Sequence, residues 1–156
     1  DKYEEHLKRD RRFKYVDFKW SEGTGNSFPR ISIKVRDEIV SSKLPKHIRP
    51  DIKTAPRVTA KQLHKMYEKG EDFVVVDMRN TWEIAAGKFK NTIDPGMQAS
   101  RDLPEKIDFI KEQTKGKKVV TVCNGGVRCE KMAAYLLDQG MDNVYDRIKE
   151  GTKVRL

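Results

Sequence analysis

Apolar and polar positions follow two different regimes along this 156-residue chain. In the first regime, residues 1–12 are mostly charged, with Tyr3, Leu7 and Arg11 at helical spacing, which predicts the last turns of a helix. Phe13 to Trp20 is rich in aromatic and β-branched residues and predicts a strand. Ser21 to Ser27 has the composition of a loop. Ile31, Ile33 and Val35 then alternate with Ser32, Lys34 and Arg36, the period of a strand with one buried face. One helix and two strands do not close a sheet domain, since an isolated hairpin is marginal in water. Residues 1–40 therefore read as part of a larger α+β domain, or as a piece packed on the second part of the chain. Residues 41–57 carry Pro45, Pro50 and Pro56 among several Lys and Arg, which predicts a linker and a domain boundary.

From residue 58 the pattern changes to alternating helix and strand. Thr59 and Gln62 are spaced as a capping box, Leu63, Met66 and Tyr67 give the helix an apolar face, and Gly70 ends it. Phe73 to Asp77 is a continuous apolar run, as expected of a strand buried on both faces. Asn80-Thr81 opens a short helix that stops by Gly87. Asp102-Leu103-Pro104-Glu105 opens another, with Leu103, Ile107 and Ile110 on one face. Lys118 to Val122 is the next strand, Cys129 to Gln139 a helix ended by Gly140, and Val144-Tyr145 a last short strand. This order predicts an α/β domain over residues 58–156 built on a mainly parallel sheet.

Charge adds a second asymmetry. The net charge is +9. Residues 1–57 hold 15 basic and 9 acidic side chains, a net of +6, and the longer remainder holds only +3. Such a field favours a polyanion such as RNA, although a solvated basic surface would look the same. The first residues, Asp1-Lys2-Tyr3-Glu4-Glu5, have no apolar core of a signal peptide, and no stretch approaches the ~20 apolar residues of a membrane span. Two cysteines, six apart at Cys123 and Cys129, fit a reduced compartment. The expectation is a soluble cytoplasmic protein.

Chemistry is expected beyond the carboxyl ends of the strands. After Val122 the chain runs Cys123-Asn124-Gly125-Gly126-Val127-Arg128-Cys129-Glu130-Lys131. Two glycines allow a tight curl whose N–H groups point inward, and a helix N-terminus adds a positive end. Both effects favour thiolate over thiol, so Cys123 is the candidate nucleophile, with Asn124, Gly125, Gly126, Val127 and Arg128 as an anion-binding loop. The plain alternative is a buried cysteine before an ordinary helix. Cys129 reads as a thiol packed in the first helical turn, or as a partner that resolves a persulfide or disulfide on Cys123. A phosphatase-type loop would have its arginine six residues after the cysteine, whereas Arg128 is fifth. Two cysteines and the scattered His6, His47 and His64 form no recognisable zinc set, and no metal or cofactor motif is evident. At the other strand end, Asp77, Arg79 and Glu83 read as a supporting ion-pair network more than as catalytic groups.

Together these residues resemble the rhodanese family. The matching motifs are Asp77-Met78-Arg79 with Glu83, then Gly87-Lys88-Phe89 with Asn91-Thr92-Ile93, then the Cys123 to Arg128 loop. The run from Cys123 to Lys131, preceded by Asp77-Met78-Arg79-Asn80, is similar to the rhodanese-domain tRNA uridine hydroxylases. The resemblance implies a rhodanese-like parallel sheet flanked by helices, preceded by part of an α+β ferredoxin-like (acylphosphatase-like) domain at residues 1–40. It also implies 5-hydroxylation of the wobble uridine of tRNA, with molecular oxygen as co-substrate and Cys123 required. Two departures stand out: Asn124 where the family usually has Thr, and a single Gly151 where rhodanese domains usually close with Leu-x-Gly-Gly. Two alternatives stay open, a sulfurtransferase that carries sulfane sulfur from a small donor as a Cys123 persulfide, and a rhodanese-like module used only for binding.

Overall fold

A computed structural model of the chain describes residues 2–16, 18, 22–26, 30 and 34–147. The chain divides between Arg36 and Asp37 into two compact units.

In the first unit, α1 (Lys2–Arg9) carries Glu4 and Glu5 in its first turn and His6, Lys8 and Arg9 in its last, the charge order that suits the helix dipole. Phe13 to Tyr15 form turns, not the predicted start of a strand. The reason is local. The Asp10 carboxylate accepts the Arg12 backbone N–H at 2.9 Å and its guanidinium at 2.6–3.1 Å, and the Phe13 N–H bonds to the Asp10 carbonyl at 2.9 Å. Such Asp-centred turns compete with extended backbone. Most of the second predicted strand, Ile31 to Ile33, lies outside the described residues, as do Asp17 and Lys19 to Ser21; Lys34 and Val35 are in no strand. The expected ferredoxin-like part rests largely on those positions.

The second unit is the α/β domain. Among the described residues its strands are β1 (Arg57–Val58), β2 (Phe73–Asp77), β3 (Thr92–Ile93), β4 (Lys118–Val122) and β5 (Val144–Arg147). They pair in the order β1-β5-β4-β2-β3, and every pair is parallel. The long central pair aligns Phe73 with Lys118 through Asp77 with Val122, so β2 and β4 end level. The helices are α2 (Ala60–Glu68), α3 (Thr81–Ala85), α4 (Ile107–Thr114) and α5 (Val127–Asp138), with a 3₁₀ segment at Ser100–Lys106.

Alternation along the buried strands sends side chains to both faces. Val74, Val76 and Val119 pack with Leu103, Ile107 and Ile110 and with Met132, Ala133 and Leu136 of α5. Phe73, Val75, Val120 and Val122 pack with Leu63 and Met66 of α2. The Thr59–Gln62 capping box forms at the predicted place, with bonds of 2.8 and 3.2 Å. Pro104 sits inside the 3₁₀ segment, and the α-helix begins only at Ile107. Proline removes an N–H and disfavours α geometry in the residue before it, so the helix predicted from Asp102 starts late.

Residues 41–57 have no helix and no strand before Arg57, as their prolines require. They are nevertheless no free spacer. Ser42, Leu44, Ile48 and Ala55 are buried, the last three in the same cluster as α5. Thr54 Oγ1 donates to the Glu130 carbonyl at 3.0 Å, Arg57 pairs with Glu130, and Arg57-Val58 adds β1 to the sheet edge.

Candidate active site

The carboxyl ends of β2 and β4 lie side by side, joined by a Met78 N–H to Val122 carbonyl bond of 2.8 Å. Cys123 is the first residue beyond β4. Gly126 has φ of +83°, a left-handed conformation open to glycine at no cost, and is the N-cap of α5. The curl aims its N–H at Cys123 Sγ, at 3.1 Å. The helix starts at Val127, two residues earlier than the sequence suggests, because the left-handed cap replaces the usual polar one. Val127 and Arg128 therefore belong to the first helical turn, and the loop proper is Asn124 to Gly126.

These contacts act on the sulfur. The Gly126 N–H donates to it, and the nearby Cys129 thiol and the backbone N–H groups of Cys129 and Gly125 also favour its charged form. Against the penalty of burial they hold the Cys123 thiol down at about 5. Cys123 is thus a thiolate at neutral pH. Cys129 is fully buried, and its own thiol is pushed well up by burial and by the neighbouring sulfur. It stays protonated and donates.

Arg128 does not project as a free cation. Its guanidinium grips Glu83 with two bonds, 2.7 and 2.8 Å. Glu83 also accepts from Asn124 Nδ2 at 2.7 Å and from the Asn80 N–H at 3.0 Å. The Arg128 guanidinium above all holds the Glu83 carboxyl down at about 2. Glu83 is therefore a permanent anion that ties α3 to the Cys123 loop. Asp77 is fully buried and takes Arg79 through bonds of 2.7–3.1 Å. The other edge of Arg79 reaches the carbonyls of Glu83 (3.2 Å) and Gly87 (2.6 Å). The supporting roles expected for Asp77, Arg79 and Glu83 thus have a concrete geometry: two arginines and two carboxylates lock the turn 83–87 beside the loop.

A cleft of about 350 Å³ opens at Cys123, lined by Arg79, Gly87, Lys88, Phe89, Val122 and Asn124. Lys88 and Phe89 were legible as part of a motif but not as its wall. Asp146 on β5 was missed altogether. It pairs in register with Thr121 and Arg57, is only 2% exposed, and its carboxyl is pushed up to about 7 by burial and by the Cys123 and Glu130 charges. The signal was present as an Asp inside a strand, a position acids avoid. Among the described residues, no three His, Cys, Asp or Glu side chains gather as a metal site, and no helix is long and apolar enough to cross a membrane. Gly151, the departure from the closing motif, lies outside the described residues.

A parallel sheet with a Cys-Asn-Gly-Gly loop between strand and helix, braced by Asp-x-Arg and Glu, defines a rhodanese-like domain. The family described as Rhodanese-like domain matches residues 59–151, and the chain belongs to it. The chain is 40% identical over 92% of its length to a tRNA uridine(34) hydroxylase of Cytophaga hutchinsonii, and 38% identical over 85% to one of Rhodococcus erythropolis. It covers 45% and 49% of those proteins, so it spans about half the length of the curated relatives it matches. A solved structure from Rhodopseudomonas palustris, a protein of unknown function and possible tyrosine phosphatase, superposes with a TM-score of 0.50 at 25% identity, over 60% of this chain and 74% of that one.

Proposed function

We propose that this chain carries the active site of a cytoplasmic tRNA-modifying enzyme that hydroxylates the wobble uridine at C5. The observation that carries this reading is the thiolate of Cys123 at the mouth of an open cleft, in a chain 40% identical to a tRNA uridine(34) hydroxylase. C5 of uracil is a poor nucleophile until a group adds to C6. The Cys123 sulfur supplies an electron pair to C6, and the C5=C6 pair moves toward the C4 carbonyl as an enolate. C5 then takes one oxygen atom from molecular oxygen. The second atom leaves as water with two electrons and two protons from a reductant of the thiol class. Loss of the C5 proton breaks the C6–S bond and returns the thiolate. The basic surplus of residues 1–57 suits an RNA substrate.

The test is mass spectrometry of nucleosides from tRNA incubated with the full-length protein, wild type beside Cys123→Ser, in air and under nitrogen. The expected result is one added oxygen on uridine that needs both air and Cys123. Unchanged uridine overturns the reading. The N–H groups on Sγ would hold a persulfide as well as a thiolate, so a thiolated nucleoside in the same samples would point to sulfur transfer instead.

A further inference from the structure

The side chain of Asn124 is held in one orientation at the Cys123 cleft, which this residue lines. Its Nδ2 donates to Glu83 Oε1 at 2.7 Å. An ionised carboxylate only accepts, and Glu83 stays ionised because the Arg128 guanidinium above all holds its carboxyl down at about 2. An amide turned over would set its own oxygen against that anion. Nδ2 therefore stays on Glu83, and Oδ1 is turned away from it. Glu83 is itself fixed, by two bonds from Arg128 (2.7 and 2.8 Å) and one from the Asn80 N–H (3.0 Å). Among the described residues neither Oδ1 nor the second N–H of Nδ2 has a hydrogen-bond partner. Two more side chains with N–H donors line the cleft. Arg79 is committed to Asp77 and to the carbonyls of Glu83 and Gly87, and Lys88 is an ammonium on a flexible stem with no acceptor to offer. Asn124 is thus a fixed, uncharged acceptor and donor, one residue along the chain from the thiolate. An anion gains little there, because the oxygen repels it. A flat ring with an N–H next to a carbonyl matches both atoms.

Uracil carries that pair at N3 and C4. N3 stands across the ring from C6, so a base that meets the sulfur through C6 keeps its N3–C4 edge clear of it. Cytosine has the reverse pair on the same edge, a bare N3 and an amino group at C4. A freely turning amide would read either base, whereas one locked by Glu83 reads only one of them. We propose that Asn124 selects uracil at this site: Oδ1 accepts the N3–H, the free N–H of Nδ2 donates to the C4 oxygen, and Glu83 prevents the turn that would suit cytosine. Bases splayed out of a single strand of RNA are read on this edge. The assignment rests on an RNA substrate for the Cys123 site, and deepens that reading by naming the residue that discriminates the base.

The test measures protection of Cys123 from iodoacetamide in the full-length protein. The probes are two synthetic anticodon stem-loop RNAs that differ only in carrying uridine or cytidine at the wobble position. Bound RNA should shield the sulfur. For wild type, the concentration giving half-protection should be about 5- to 150-fold higher for the cytidine RNA, the range expected when a fixed polar pair meets the wrong partners. For Asn124→Leu, close in size and without an amide, the two RNAs should lie within about 2-fold of each other. Asn124→Ala, which adds no apolar bulk, should give the same result. The ratio is taken within each protein, so a change in the reactivity of the sulfur cancels. Equal protection of wild type by both RNAs, or a preference for uridine that both variants keep, overturns the role of Asn124 alone. Wild type unprotected by either RNA removes the substrate reading itself.

Discussion

Asp146 supplies a quantitative check on the electrostatics of the site. Its carboxyl lies in the sheet at the level of Thr121, whose Oγ1 is 3.4 Å from Oδ1, a long and weak bond. The one guanidinium in register with it, Arg57, is engaged by Glu130. Desolvation is accordingly the largest influence, followed by the Cys123 and Glu130 charges; Arg57 and Thr121 oppose them, and the pKa rises from 3.8 to about 7. Between those two values the folded chain keeps a proton that the unfolded chain has released. The contribution of Asp146 to stability therefore falls as pH rises through about 4 to 7, and it adds no further slope above that. A difference of about 3 in pKa, at 1.36 kcal/mol for each, is about 4 kcal/mol. Asp146→Asn keeps the shape and removes the titration. It should match wild type at pH 4 and be more stable by up to about 4 kcal/mol at pH 8. Urea unfolding followed by circular dichroism, at pH values from 4 to 8, reads this difference directly. The same variant should leave the pH at which Cys123 ionises close to unchanged, because Asp146 already holds its proton at about 5. A stability difference that does not change with pH, or a variant less stable at pH 8, would refute the argument that this carboxylate is buried without a counter-ion.

Two further substitutions probe the loop and the segment before the domain. Gly126→Ala forces a left-handed conformation at a cost of about 1–2 kcal/mol, with no steric clash to add to it; by loosening the N–H on Sγ it should also move the alkylation midpoint of Cys123 upward from about 5, and an unchanged midpoint would mean that this bond does not hold the thiolate. Leu44→Ala should cost about 2–5 kcal/mol in chemical unfolding if residues 41–57 are part of the core, and close to nothing if they are a linker.

The features legible in the sequence are those written within a few residues. The Thr59–Gln62 box, the apolar run of β2 and the cysteine with two glycines after it are local signals, and each forms at its expected place. Strands β1 and β3 have two residues each, too few to show a period. Leu44, Ile48 and Ala55 follow no helical or strand spacing, so their burial is visible only once α5 is in place beside them. The chain's cations misled for the same reason. Arg128 reads as a charge at the rim of the loop, and its partner Glu83 lies 45 residues away in sequence. The turn at Asp10 is local, yet it overrides the aromatic run from Phe13 onward, because one carboxylate satisfies both backbone and guanidinium.

That pairing of Arg128 changes how the nucleophile should be understood. A guanidinium directly on the sulfur would stabilise the thiolate, but it would also occupy the approach that a substrate needs and draw off the electron pair that must attack. Here the thiolate is held mainly by the Cys129 thiol and by backbone N–H groups of the loop and first helical turn. Cys123 at the same time lines the cleft. Because these donors are fixed by the Gly126 cap and by the Glu83 clamp, they need no rearrangement when the sulfur gives up its charge to a new bond. With its thiol held down at about 5, Cys123 is ionised at neutral pH, at some cost in intrinsic nucleophilicity. Glu83 thus matters through geometry: by pairing with Arg128 and anchoring Asn124 it fixes the loop, and the guanidinium acts on the sulfur only through space while its hydrogen bonds go to the carboxylate.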